Sequence, residues 1–529
     1  MNQSLSALAH ASPLQAGLAA GALSVAYIIG VFIYRLYLHP LRHVPGPRLA
    51  ALTRWTETYY ECFKSPGGQF MWEYQKWHEQ YGPIVRVGPD EVHIQDLRFY
   101  NVLNSNSRHP NKLRRLDHRF NNQLGVHATV EHSLHRKRRA ALNPFFSKRE
   151  IARHSPNIQQ VMDRLCERVA TEYLNVDNDS ILSLSRMWEA FTGDVVVGYC
   201  LEKSYDFIMN PDFRAEFSEA MISLLEPVHF ITQFPWIIKT LKLLPDWLVA
   251  IISPPMSTVL AFNNEMKAQI IRAKQIHSSG EKHVGANESS NTLFTAILES
   301  DLPPQELEIG RLQHEAIGLI GGAVETTSYA LIVCSYHVLS NKDVLEKLRS
   351  ELRTAIPRIQ DTPDVDTLMR LPYLTSVINE ALRFSYGTPQ RMPRLYPTPI
   401  IYSSPDGETY HLPVGSIISM DNYTASHDSW AFPSPFEFRP GRWENDPRAP
   451  DGKSLSTYLV AFSRGTRNCV GMQLAYAELY IGLATFFRRF DCELFETGRD
   501  AVDCYYDRFV PKPKPGTHGV RVKVLDGLS

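Results

Sequence analysis

Phe462-Ser463-Arg464-Gly465-Thr466-Arg467-Asn468-Cys469-Val470-Gly471 is the stretch that decides the reading of this 529-residue chain. One cysteine sits in a glycine-bracketed loop, two residues after an arginine and just before an apolar, alanine-bearing helical stretch. Turn amides and the positive end of the following helix both favour an anionic sulfur. A thiolate so placed suits the axial position of a haem iron. Arg467 is set to meet a haem propionate, because a guanidinium fork matches a carboxylate. Phe462 can pack on the porphyrin. A buried free cysteine in an ordinary loop would explain one cysteine, but not the ten-residue pattern.

Three further segments carry unusual chemistry. Ile317 to Tyr329 reads Ile-Gly-Leu-Ile-Gly-Gly-Ala-Val-Glu-Thr-Thr-Ser-Tyr. Glycines and an acid inside a long apolar helix break local rules, and such violations mark function. In the helix beginning near Leu371, Glu380 and Arg383 are three apart and share a face. In the helix around His132-Ser-Leu-His135-Arg136-Lys137-Arg138-Arg139, His135 and Arg139 are four apart and also share one. The His132/His135 pair has no further ligand cluster in sequence, which argues against a metal site.

Together these segments resemble the cytochrome P-450 family of haem-thiolate monooxygenases. The cysteine loop matches F-x-x-G-x-R-x-C-x-G at every fixed position. The motifs run in the family's order, from H-x-x-x-R through acid-alcohol and E-x-x-R to F-x-P-x-R-W (here Phe436 to Trp443) and the cysteine loop. The resemblance implies haem b with Cys469 on the iron. It implies propionate contacts from His135, Arg139, Arg394 and Arg467, and packing by Phe462. It implies a buried triad of Glu380, Arg383 and Arg442. Glu325 and Thr326 would deliver protons during dioxygen activation, with Ala323 standing where the family usually has glycine. Substrate-facing segments would be Leu124–His127, Gly321–Glu325, Thr388–Met392 and Asp507–Val510. Arg136 and Lys137 belong to a basic solvated face that can also dock an acidic electron donor. The anchor, the hinge and Ala140 to Ser147 look most like fungal secondary-metabolism members, such as those oxidising trichothecene-type sesquiterpenes.

Composition agrees. Lys+Arg is 55 and Asp+Glu 56, for a formal net charge of -1, so no basic field points to nucleic acid. The seven cysteines are scattered without a C-x-x-C pair, which argues for a reducing compartment. Leu14 to Tyr34 is apolar apart from Gln15, Ser24 and tyrosine hydroxyls. As a helix it would span about 31 Å, enough for one bilayer crossing. No Lys or Arg precedes it, and Arg35, Arg42 and Arg48 follow, so the remainder is expected in the cytosol. The expected organisation is a short lumenal terminus (1–13), a transmembrane anchor (14–34), a basic, proline-bearing hinge (35–50) and a catalytic domain (51–529) at the endoplasmic reticulum membrane.

Alternating Val85/Val87 and Val92/Ile94 about Gly88-Pro89-Asp90 predict a hairpin within Pro83–Gln95. Tyr410–Met420 reads as one strand, Gly498–Val524 as two short ones, and His277–Asn291 as a linker. The middle is helical. The expected fold class is mainly α with small β-sheets, the cytochrome P-450 fold behind one transmembrane helix. The expected activity is hydroxylation or epoxidation of an apolar small molecule, a terpenoid or other fungal secondary metabolite. It would use O2 and electrons from NADPH through a separate reductase, since no dinucleotide fingerprint is present. The rival readings are a haem-thiolate isomerase or dehydratase that uses no O2, and a non-catalytic haem sensor. The Glu325-Thr326 pair argues against both.

Overall fold

Among the described residues of the computed structural model, two helices are long and apolar enough to cross a membrane, and burial separates them. Pro13–Leu38 has a mean hydropathy of 2.1 and no buried residue in its apolar window, whereas 61% of the window in Ile309–Leu339 is buried, with a mean hydropathy of 1.5. The second is therefore a core helix and the first the candidate span. The described residues are 12–174, 180–201, 205–214, 225–241, 243–252, 255–279 and 292–527. The linker expected at His277–Asn291 lies outside them beyond Ser279.

Helix α1 (Pro13–Ile33) starts with a capping box. Ser12 Oγ accepts from the Gln15 amide and Gln15 Oε1 from the Ser12 amide, with Pro13 in the first turn. The interior is built from α2 (His132–Leu142), α3 (Lys148–Glu172), α4 (Leu184–Cys200), α5 (Ile309–Leu339), α6 (Pro372–Ser385) and α7 (Met472–Arg489). α5 runs along α4 and also packs on α6 and α7. Their facing side chains, among them Trp188, Phe191, Leu331, Val377 and Phe486, form the main apolar core. A smaller core lies under the sheets, around Tyr100, Tyr402 and Tyr458.

The expected hairpin is present. β1 (Ile84–Arg86) and β2 (Glu91–Ile94) pair antiparallel, with Ile84 opposite Ile94. The strand expected over Tyr410–Met420 is two strands in two sheets. β6 (Thr409–Leu412) pairs β5 (Ile400–Ser403), whereas β7 (Ile417–Ser419) lies between β2 and β4 (Arg394–Leu395). Pro413 lacks an amide donor and Gly415 turns the chain at φ +94°, so the ladder cannot continue. The tail holds three strands rather than two: the hairpin β9 (Tyr506–Arg508) with β10 (Val510–Lys512), and β11 (Arg521–Gly527), which lies between β3 (Leu182–Ser183) and β8 (Phe490–Leu494).

α6 is joined to the segment before the cysteine loop through one carboxylate. Glu380 and Arg383 are both fully buried, with Arg383 Nη2 2.7 Å and Nε 3.0 Å from the two Glu380 oxygens. Arg442 Nε (3.0 Å), Trp443 Nε1 (2.8 Å) and the Arg439 amide (2.9 Å) also donate to Glu380. Arg383 Nη1 donates to the carbonyls of Ser426 and Pro435. Burial pushes the Glu380 carboxyl up, but the hydrogen bonds and charges of Arg383 and Arg442 outweigh it and hold it below its ordinary range. Its contribution to stability is thus present above the unfolded carboxylate pKa and is lost as pH falls through the lowered folded value. Glu380→Gln strands two arginines and should cost roughly 3–5 kcal/mol. Urea unfolding at neutral pH will show this as a lower midpoint or as no folded protein at all. An unchanged midpoint would show the network to be dispensable.

Candidate active site

The cysteine loop, α5 and the segment 387–394 enclose a cavity of about 370 Å³, within the range of small-molecule sites. Of the seven cysteines, Cys469 alone is exposed, and it opens onto this cavity. Cys200 borders the cavity from α4 but is buried, its thiol pushed up to about 12 by burial. The loop is a tight turn over Gly465–Arg467, in which the Cys469 amide donates to Phe462 O at 3.0 Å. Gly465 has φ +72°, and a Cβ there would stand 2.0 Å from Asn104 O, so no other residue fits. Phe462 lines the cavity, with its ring 5.2 Å from that of Tyr476. α7 begins at Met472, as expected.

The anionic bias expected at Cys469 is opposed in the folded protein. Although the sulfur faces the cavity, desolvation by the surrounding protein pushes its thiol pKa up, and the Gly471 amide and Arg139 oppose this without reversing it. A coordinated metal ion deprotonates such a thiol outright.

Arg394 and Arg467 line the same cavity and, among the described residues, donate only to backbone carbonyls. Arg394 Nη1 donates to Pro393 O at 3.0 Å, and Arg467 donates to Thr129 O and Val130 O at 2.8 Å each. Burial lowers both, Arg467 to about 9 with Arg394 adding to the shift. His135 is buried with Nδ1 unpartnered, and burial, then Arg467 and Lys112, keep its ring neutral. Two half-buried guanidiniums with no carboxylate partner among the described residues, beside an unpartnered ring nitrogen and an exposed thiol, fit a flat dianionic macrocycle carrying a metal. Arg391 also borders this site but is committed elsewhere, pairing with Glu57 (2.8 Å) and Glu91 (2.7 Å). That leaves Arg394 as the available arginine of this segment. Arg139 braces the loop: Nη1 donates to Asn468 O at 2.7 Å and Nη2 to Cys469 O at 3.2 Å.

α5 crosses the cavity without a break. Gly321, Gly322 and Ala323 line it, and a Cβ at Gly322 would meet nothing within 4 Å. Thr326 also lines it, its hydroxyl donating to Gly322 O at 2.8 Å. Glu325 is one residue round the helix, turned away to Lys512 of β10 at 3.4 Å, with Oε1 unpartnered. The two residues expected to act together therefore sit on different faces. Glu478 of α7 also borders the cavity, and burial raises its pKa well above the ordinary value.

Val126, His127, Thr388, Met392, Phe509 and Val510 supply cavity wall from the expected substrate-facing segments. Lys112, Arg119 and Glu478 lie in no motif and were not expected at the cavity, whereas Gln390 falls inside the expected Thr388–Met392 segment.

The family model for cytochrome P-450 matches residues 56–520. The cytochrome P-450 monooxygenase orf4 of Eupenicillium brefeldianum is 42% identical, over 96% of this chain and 98% of its own. The cytochrome P-450 monooxygenase sdnE of Sordaria araneosa is 37% identical, over 95% and 96% respectively. The N-acetyltryptophan 6-hydroxylase ivoC of Emericella nidulans is 36% identical, over 95% and 96%. Proteins of this family bind haem b through a cysteine thiolate, use O2 and a redox partner, and bind small molecules. The chain belongs to the cytochrome P-450 family and is a monooxygenase of the fungal secondary-metabolism type.

Proposed function

We propose that this chain hydroxylates or epoxidises an apolar small molecule, a terpenoid or comparable fungal secondary metabolite, with Cys469 as the iron ligand. One observation carries the reading. The single exposed cysteine opens onto a largely apolar cavity that also holds the Thr326 hydroxyl and two half-buried arginines with no carboxylate partner among the described residues. The haem supplies dioxygen activation when bound. Arg394, Arg467 and His135 hold its propionates, Arg139 braces the cysteine loop behind them, and Phe462 packs on its face. Across the cavity, Thr326 holds a proton at Oγ1, while Glu325, on the neighbouring face of the helix, pairs with Lys512. The tryptophan and N-acetyltryptophan 6-hydroxylases among the relatives add aromatic substrates to the candidates.

The same reading places the chain in the endoplasmic reticulum membrane, anchored by residues 14–34, with residues 1–13 lumenal, 35–50 a hinge and 51–529 a cytosolic catalytic domain. Electrons come from NADPH-cytochrome P-450 reductase. Exposed apolar residues near the hinge support contact with a membrane surface. Trp55 and Phe63 are exposed and meet Phe234 and Phe230 across a second apolar segment that also exposes Trp236 and Trp247. Arg35 on the anchor side donates to Leu52 O, tying the hinge to that surface.

Three tests follow from these assignments. Cys469→Ser should abolish the thiolate-type, red-shifted absorption of the reduced carbon monoxide complex, and a retained band would remove Cys469 from the iron. Thr326→Ala should fold and bind haem but yield roughly tenfold less product per NADPH, with more hydrogen peroxide released. Unchanged coupling would exclude Thr326, and product formed without O2 would favour an isomerase. Deleting the residues before Arg35 should release much of the protein from microsomes, and cytosolic protease should digest the catalytic domain of the full chain in intact vesicles. Protection from protease would reverse the topology.

A further inference from the structure

Arg119 lines the cavity but belongs to none of the groups assigned so far. Its guanidinium is fixed on three sides. Nε donates to Thr232 Oγ1 at 3.1 Å, Nη1 donates to Gln390 Oε1 at 3.3 Å, and the group lies over the Phe509 ring, 5.7 Å from the centroid. Nη2 has no partner among the described residues, and no carboxylate there is within ion-pair distance. The acids nearby are engaged elsewhere: Glu57 and Glu91 by Arg391 and Arg115, and Asp507 Oδ1 by the Phe509 amide at 2.6 Å. Asp507 and Glu61 act on Arg119 only through space.

Its chemistry differs from that of a satisfied buried arginine. Arg391 is raised well above the ordinary value, because three glutamates outweigh its burial. Arg119 is pushed down to about 10, because burial outweighs the distant Asp507. A half-buried, partly desolvated cation with no counter-charge among the described residues is costly unless a ligand supplies one. Gln390 adds a second unmet group. It is 5% exposed and also borders the cavity. The Arg119 donor fixes its amide with Oε1 inward, leaving Nε2 buried with no acceptor. Reversing the amide would set donor against donor. Lys112 donates to His127 O on the same wall, and burial pushes its amine well below the ordinary value.

We propose that the substrate is an apolar molecule bearing one carboxylate, and that Arg119, assisted by Gln390, reads this carboxylate at the Phe509 end of the cavity. A neutral hydroxyl would leave the guanidinium uncompensated, and a phosphate would bring about two charges to one fixed cation in an apolar surround. One carboxylate matches the free edge of a planar fork. Holding that end sets which carbon of the apolar body is presented toward the cysteine loop. The inference rests on the haem-thiolate reading above, since it concerns the substrate of that same site.

The test compares acids with their methyl esters. Dodecanoate and indole-3-butyrate, each beside its ester, are titrated into the haem-loaded full chain. Binding is read both by the shift of the Soret band and by equilibrium dialysis. In the unaltered protein at least one acid should bind about tenfold or more tighter than its ester. Arg119→Leu should bring the pair to near parity, and Arg119→Lys should keep part of the preference. Arg119→Leu should also retain the full reduced carbon monoxide band, since Arg119 is not among the residues holding the haem. Equal binding of acid and ester in the unaltered protein overturns the inference, as does an acid preference that survives Arg119→Leu. Loss of the band in Arg119→Leu assigns Arg119 to the haem and overturns it too. An unaltered protein without a thiolate-type band overturns the haem reading itself, whereas a normal band without acid preference overturns only this one.

Discussion

The Glu380 carboxylate is the point on which the arrangement turns. Five donors from four residues, Arg383, Arg439, Arg442 and Trp443, converge on its two oxygens in a place water does not reach. One partner comes from the same helix and three from the segment that leads into the cysteine loop. A fully satisfied buried carboxylate specifies one geometry, because every alternative leaves a charge or a donor unmet. α6 therefore cannot shift against the 433–443 segment without breaking the set. Arg383 carries the constraint onward to the carbonyls of Ser426 and Pro435. The cavity floor inherits its position from this junction and from the Gly465–Asn104 contact, where backbone meets backbone with no room for a side chain.

Charge in the interior is divided between two kinds of arginine. Arg383 and Arg391 are paired with carboxylates and act as struts. Among the described residues, Arg394, Arg467 and Arg119 face the cavity with backbone or neutral partners only. The first kind lowers the energy of the protein as it stands. The second carries an electrostatic cost that the protein alone does not offset, and it marks where anionic groups of bound molecules belong. Sites of this sort trade stability for recognition.

Much of this was legible in the chain because the motifs are local. The cysteine loop is ten consecutive residues, Glu380 and Arg383 share one helical face, and the β1–β2 hairpin announces itself by alternation about Gly88-Pro89-Asp90. What could not be read depends on partners far away in sequence. Arg391 and Arg394 stand three residues apart in one segment, and only Glu57 and Glu91, some three hundred residues earlier, tell them apart. Arg119 has no local signature, and its partner Gln390 is 271 residues distant. Tyr410–Met420 looks like one strand because periodicity records which face a residue takes, not which neighbour the strand pairs with. Glu325 and Thr326 read as a pair because they are adjacent, yet adjacent helical residues point about 100° apart.

The β9–β10 hairpin ties together matters that a sequence alignment would treat separately. Asp507 meets His229 and the Phe509 amide, Phe509 forms cavity wall under Arg119, and Lys512 pairs with Glu325 on α5. A few residues thus set the shape of the cavity at one end and the charge beside the central helix at the other. Diversifying this hairpin to accept a bulkier molecule would therefore alter the electrostatic surroundings of α5 in the same step. Selection for a new product profile and selection for efficient use of reducing equivalents would act on the same few codons and pull against each other there.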